Sequence, residues 1–205
     1  MKISLEHISK RFQRHWIFKE VSHEFAAPGA YAILGPNGSG KSTLLRIIAG
    51  MQAASKGKIQ HLNNGKVLEQ NKLFEYVSFC APGMDIVEEL TLTEFLDFHF
   101  SFKKALNNLS VKEIIEITGL KQAADKPIGD YSSGMKQRVK LAQAIFADTP
   151  LLLLDEPCSN LDQQGVDQYR SWIETYAQNR LVIVASNDVR EYYFCKEHIS
   201  IEDYK

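Results

Sequence analysis

The stretch GPNGSGKS (35–42) follows a short apolar run, YAILG (31–35), and leads directly into STLLRIIAGM (42–51). The first flank reads as a buried strand and the second as a buried helix. Between them stands G-x-x-x-x-G-K-S, which needs that context to work. Its glycines let the backbone curl until several N–H groups point inward at one anion, and the helix behind adds its positive end. Lys41 can reach the terminal phosphates of a nucleotide, and the Ser42 hydroxyl can ligate Mg²⁺. Gly35, Pro36, Asn37, Gly38, Ser39, Gly40, Lys41, Ser42 and Thr43 are therefore the candidate phosphate-binding residues.

Around this loop the chain reads as an α/β protein. KISLEHI (2–8) alternates as a half-buried strand does. IFKEVSHEFA (17–26) reads as a second strand, ended by a turn at Pro28-Gly29. KIQHL (58–62) and YVSFCA (76–81) are further strands. From about Thr91 to Ala147 the period becomes helical, with TEFLDFHFSF (93–102), VKEIIEITGL (111–120) and a helix from YSSGMKQR (131–138) to about Phe146. Then come LLLLDEP (151–157), a helix at about 163–177, LVIVAS (181–186) and HISI (198–201). An α/β core with a helical insertion fits this order.

LLLLDEP places Asp155 and Glu156 at the exit of an apolar strand. Ligands of parallel α/β sheets sit beyond the carboxyl ends of strands, and adjacent carboxylates there need solvent or a cation. Beside the phosphate loop, Asp155 is expected in the Mg²⁺ shell and Glu156 is placed to orient or deprotonate a water.

The bulk composition narrows the partners. The 205 residues are 44% apolar and 24% charged with a formal net charge of −1, so no strong pull toward nucleic acid or anionic lipid is expected. Three scattered cysteines (Cys80, Cys158, Cys195) fit neither a metal site nor a disulfide framework and suggest a reducing compartment. The amino terminus shows no signal-peptide pattern, and no apolar run is long enough to span a bilayer. Membrane association would have to go through a partner.

The ordered set of motifs resembles the ATPase subunits of ABC transporters over nearly the whole chain. YSSGM (131–135) aligns with that family's LSGGQ signature, SNLD (159–162) with its D-loop, and Phe12 with the aromatic that stacks on adenine; Trp16 is the rival for that role. The resemblance implies a P-loop NTPase core with an antiparallel β subdomain and a helical subdomain at about 85–135, within a single nucleotide-binding domain of residues 1–205. It implies ATP and Mg²⁺ as ligands, and a head-to-tail dimer in which Ser132, Ser133 and Gly134 cap the γ-phosphate of the partner's ATP. It further implies a second ATPase subunit, in a homodimer or a heterodimer, and an integral-membrane subunit that would hold the chain at the cytoplasmic face. FHFSF (98–102) is read as core or as part of the groove for that membrane partner.

Two positions depart from the family. Its Q-loop glutamine falls at Pro82, with no glutamine between Gln70 and Gln122; Asp85, Glu88, Glu89 or water would have to replace it. Its switch histidine falls at Asn187, in ASND (185–188). Asparagine keeps an amide donor for the γ-phosphate but cannot carry a proton, which predicts slowed hydrolysis. A nucleotide-gated module with little turnover and an ABC-type ATPase acting on DNA are the competing readings. The compact insertion and the absence of a basic surplus speak against the latter.

Overall fold

A computed structural model describes residues 1–205. Its strands are β1 (Lys2–Phe12), β2 (His15–Ala26), β3 (Gly29–Leu34), β4 (Lys56–Asn63), β5 (Lys66–Val67), β6 (Val77–Cys80), β7 (Leu151–Asp155), β8 (Leu181–Ala185) and β9 (Glu197–Ser200). Its helices are α1 (Lys41–Ile48), α2 (Leu92–Phe102), α3 (Val111–Thr118), α4 (Ser133–Ile145), α5 (Gln163–Tyr176) and α6 (Val189–Tyr192). The strands form two sheets. One is antiparallel, in the order β2-β1-β4-β5; the other is parallel, in the order β6-β7-β8-β3-β9.

Both faces of the parallel sheet are covered, as the unbroken apolar runs of β7 and β8 require. Along β7, Leu151 and Leu153 join the core shared with α1 and the antiparallel sheet, where Ile3, Phe18, Phe25, Leu44 and Ile48 lie. Leu152 and Leu154 point the other way, into the core built by α2 to α5. β8 divides its residues alike, with Leu181 and Ile183 on one side and Val182 and Val184 on the other. The helical segment is thus fastened to the sheet through a continuous apolar core.

Local chemistry sets the element ends. α2 and α3 each begin with a reciprocal capping box, Thr91 with Glu94 and Ser110 with Glu113. α1 stops three residues before the sequence pattern does. Gly50 adopts φ +74°, and the Gly50 and Met51 N–H groups bond back to the Ile47 and Arg46 carbonyls. β1 runs four residues past its predicted end at Ile8, because bulged pairing around His7 (φ +52°) breaks the alternation without ending the strand. β2 begins two residues early, and the hairpin between the two strands turns at Gln13-Arg14. This brings Phe12 opposite His15 at its tip. Gly29 belongs to β3, so the turn predicted at Pro28-Gly29 lies at Ala27-Pro28, whose peptide is cis.

Candidate functional site

Three adjacent strands, β7, β8 and β3, end at one edge of the parallel sheet. Asp155 pairs with Ala185, and Ala185 with Ile33, so all three chains leave the sheet at the same level. Each strand leads into a candidate segment. β3 runs into the 35–42 loop, β7 into Asp155-Glu156, and β8 into Ser186-Asn187.

The loop winds through positive φ at Gly35, Gly38 and Gly40. At Gly40 (φ +112°) a Cβ would lie 2.5 Å from Ile17 Cγ2, so both the conformation and the space demand glycine. Lys41, 4% exposed, turns its ammonium back into the loop and donates to the carbonyls of Gly35 (2.6 Å) and Pro36 (3.2 Å). Ser39 Oγ is buried without a hydrogen-bond partner, an orphan that a phosphate oxygen would satisfy. The Lys205 ammonium ties the loop to β2 by donating to the carbonyls of Ser39 (2.7 Å) and Ile17 (3.0 Å).

Ser42 Oγ donates to Asp155 Oδ1 at 2.9 Å. Asp155 is 4% exposed and has no ion-pair partner; burial pushes its carboxyl up, against the pull of the Ser42 hydrogen bond. A buried carboxylate and a hydroxyl in contact are hard oxygen donors, the donor type that would suit Mg²⁺. Glu156 adopts φ +42°, a left-handed conformation that costs a non-glycine residue about 1 kcal/mol. With its N–H bonded to the Ala185 carbonyl at 2.9 Å, it turns the chain sharply out of β7. Its side chain lines the same cavity as Lys41 and Ser42.

That cavity, of about 260 Å³, is bounded by Phe12, Ile17, Asn37, Gly38, Gly40, Lys41, Ser42, Thr43 and Glu156. Larger hollows lie on the antiparallel sheet and at the opposite ends of the parallel strands, away from every one of these motifs. Phe12 is half-exposed at the cavity wall, with the Lys10 ammonium over its ring. Trp16 is not at the wall; its ring lies under the Arg11 guanidinium and the Lys56 ammonium. Of the two aromatic residues, Phe12 alone lines this cavity.

Asn187 meets the loop through both ends of its amide. Oδ1 accepts the Gly35 N–H at 3.3 Å, and Nδ2 donates to Asn37 Oδ1 at 3.3 Å. Pro82 lies just past the end of β6 and its carbonyl accepts from Lys140 Nζ at 2.7 Å. Asp85, Glu88 and Glu89 are absent from the cavity wall, and Glu88 is paired to Lys136 at 2.7 Å.

Ser132, Ser133 and Gly134 stand apart from the cavity. Ser132 caps α4 by accepting the Met135 N–H at 3.3 Å, and both serines are exposed. A Cβ on Gly134 would lie 3.0 Å from the Asn160 carbonyl oxygen, so the start of α4 abuts the SNLD segment of the same chain. Within that segment Asp162 is the cap of α5, accepting the Gly165 N–H at 2.8 Å.

Two buried polar residues in this region had no sequence signal. Gln137, 2% exposed, donates to the Pro157 carbonyl at 2.7 Å and ties α4 to the loop after Glu156. Glu191 accepts the Cys158 N–H at 2.7 Å and the Ser186 hydroxyl; burial pushes its carboxyl up to about 7 despite those hydrogen bonds. The Cys158 thiol is held protonated by burial, so it behaves as a small filler.

Comparison with known proteins gives the family. The chain is 37% identical over 172 residues to the uncharacterized ABC transporter ATP-binding protein YxlF of Bacillus subtilis, covering 80% of this chain and 55% of that one. It is 34% identical over 177 residues to the sulfate/thiosulfate import ATP-binding protein CysA of Thermosynechococcus vestitus, covering 84% and 52%. The chain thus spans about half the length of these curated relatives. A putative ABC transporter ATP-binding protein from Pyrococcus furiosus superposes with a TM-score of 0.82 at 21% identity, covering 100% of both chains. The dimeric ATP-binding cassette MJ0796, in a post-hydrolysis state bound to ADP and Pi, gives 0.82 at 20% identity, covering 97% and 93%. The protein-family model described as ABC transporter matches residues 18–159, and on that match and these relatives the chain belongs to the ABC transporter family.

Proposed function

We propose that the chain binds and hydrolyses ATP as the energy-coupling subunit of a transporter, working as a head-to-tail dimer. The observation that carries this reading is the convergence of Phe12, Lys41, Ser42 and Glu156 on one cavity, with Asp155 hydrogen-bonded beneath it. In this reading the 35–43 loop binds the phosphates and Phe12 stacks on the base. Lys41 leaves the loop carbonyls for the terminal phosphates, and the orphaned Ser39 hydroxyl donates to a phosphate oxygen. Ser42 and Asp155 hold Mg²⁺, which when bound neutralises charge developing on the phosphates. Glu156 accepts a proton from the attacking water. Asn187 offers one N–H to the γ-phosphate and has no proton to exchange, so turnover is slow.

Ser132, Ser133 and Gly134 serve the second subunit's nucleotide. They sit at the start of a helix of more than three turns, with both serines exposed, and off their own chain's cavity. The whole chain acts as one nucleotide-binding domain with its helical lobe at about 85–135. No helix is long and apolar enough to cross a membrane. In this reading the chain works with an integral-membrane subunit and sits at its cytoplasmic face. Phe98 and Phe102, 57% and 76% exposed with rings 5.1 Å apart, give that partner an apolar surface on α2.

Calorimetric ATP titration and phosphate release, each with Mg²⁺ or EDTA, test the reading. Wild type should bind and slowly hydrolyse ATP only with Mg²⁺, Glu156→Gln should bind without turnover, and Lys41→Ala should lose binding. Wild type that binds no ATP would refute it. Binding without hydrolysis would leave the nucleotide-gated reading, which the engagement of Asn187 with the loop favours.

A further inference from the structure

Glu191 lies on α6, four positions after Asn187, and is 4% exposed. None of the chain's ion pairs involves it. A buried acid without a cation is costly unless its oxygens are held, and here they are held by two different loops. Oε1 accepts the N–H of Cys158, two residues after Glu156, at 2.7 Å. Oε2 accepts the hydroxyl of Ser186, the residue before Asn187. Ser186 Oγ itself accepts the Asp188 N–H at 2.9 Å, and the fully buried Tyr169 donates its hydroxyl to the Glu191 carbonyl at 2.7 Å.

The sheet cannot make this tie. Pairing of β7 with β8 ends at Asp155 and Ala185, and the last main-chain bond between these strands is Glu156 N–H to the Ala185 carbonyl. Past that point the two loops separate, and Glu156 holds a φ of +42° that only its surroundings can maintain.

We propose that Glu191 is a positioning residue, a brace that fixes the Glu156 loop and the Asn187 loop in one geometry. The catalytic consequence rests on the roles given above to Glu156 and Asn187; the brace itself does not. Removing it loosens both loops together and lowers turnover far more than ATP binding, because Glu191 itself bonds no residue of the phosphate loop and reaches it only through the two weak Asn187 contacts.

The test compares Glu191→Gln and Glu191→Ala in the intact chain. Backbone hydrogen exchange is read over 156–162 and 184–190, together with kcat and KM for ATP. Gln keeps an oxygen for the Cys158 N–H, and its amide can donate to Ser186. Protection should persist and kcat stay within about threefold. Ala should speed exchange in both segments and lower kcat about tenfold to a hundredfold, with KM held within about twofold, as small misplacements of reacting groups do. Faster exchange at 184–190 alone, or an unchanged kcat in Ala, would overturn the proposal. Should Glu191→Ala not fold, Ser186→Ala cuts one arm only. It should loosen 184–190, spare 156–162 and still lower kcat; unchanged exchange at 184–190 would overturn the brace. Wild type without hydrolysis, but with both loops loosened in Ala, would remove the proposed reaction and leave the brace standing.

Discussion

Replacing Ser42 with alanine separates the fold contribution of one hydroxyl from its role in binding. Its Oγ lies 2.9 Å from Asp155 Oδ1, and Asp155 is only 4% exposed, so water has little access to replace the lost bond. A hydrogen bond to a charged group contributes about 1.5–3 kcal/mol. At about 2–4 °C per kcal/mol for a chain of this size, the nucleotide-free Tm should fall by about 3–12 °C. The deficit has a pH signature. The Ser42 bond holds the Asp155 carboxyl down against burial, so Ala lets it rise further. The loss should be full where Asp155 is ionised and shrink as the pH drops through its raised pKa. Scanning fluorimetry in EDTA, in ATP with EDTA, and in ATP with Mg²⁺ resolves the two roles. In wild type Mg²⁺ should add to the stabilisation by ATP, and in Ser42→Ala that increment should vanish. An unchanged Tm without nucleotide would refute the Ser42–Asp155 bond; a retained Mg²⁺ increment would refute Ser42 as a metal ligand.

Glu191 should make stability fall with rising pH. Its folded pKa of about 7 exceeds the ordinary 4.5, with burial first among the causes, Asp188 and Glu156 adding to it and Ser186 and Cys158 opposing. Its contribution is therefore full below pH 4.5 and lost as the pH rises through 7. Urea denaturation should show wild type losing on the order of 3 kcal/mol relative to Glu191→Gln across that window; a constant difference would contradict it. Asn187→His restores a ring that can carry a proton, and should raise kcat about tenfold with little change in KM; an equal or lower kcat would count against Asn187 as the limiting residue. Phe12→Ala should cost about 1–3 kcal/mol of ATP affinity, at least a fivefold rise in Kd, while urea denaturation shows little change because the ring is half-exposed. An unchanged Kd would remove Phe12 from the base site.

The sequence made legible whatever was contiguous. The 35–42 loop declares itself because the curl, the cation and the following helix are neighbours in the chain. LLLLDEP does so because an unbroken apolar strand runs straight into two adjacent carboxylates. The start of α4 is legible because Ser, Ser and Gly suit the first turn of a helix. Long-range ties left no such mark. Glu191 looks like any acid in a short polar helix until it meets Cys158, 33 residues earlier. Gln137 stands between Lys136 and Arg138 with nothing local to mark it, yet its amide is buried against Pro157. The contact of Asn187 with Gly35 spans 152 residues and depends on β8 lying beside β3. In FHFSF, helical period alone could not divide core from surface; packing leaves Phe98 and Phe102 exposed and draws Phe100 against the core.

The central claim is that two chains share each nucleotide, because Ser132, Ser133 and Gly134 lie off the cavity that Lys41 and Glu156 line. The most direct measurement is steady-state ATPase against protein concentration, with Glu156→Gln followed by light scattering in ATP and Mg²⁺. The account predicts activity rising faster than linearly with protein, and a variant that accumulates as an ATP-held dimer without turnover. Activity strictly proportional to concentration, with Glu156→Gln monomeric in saturating ATP, would contradict it.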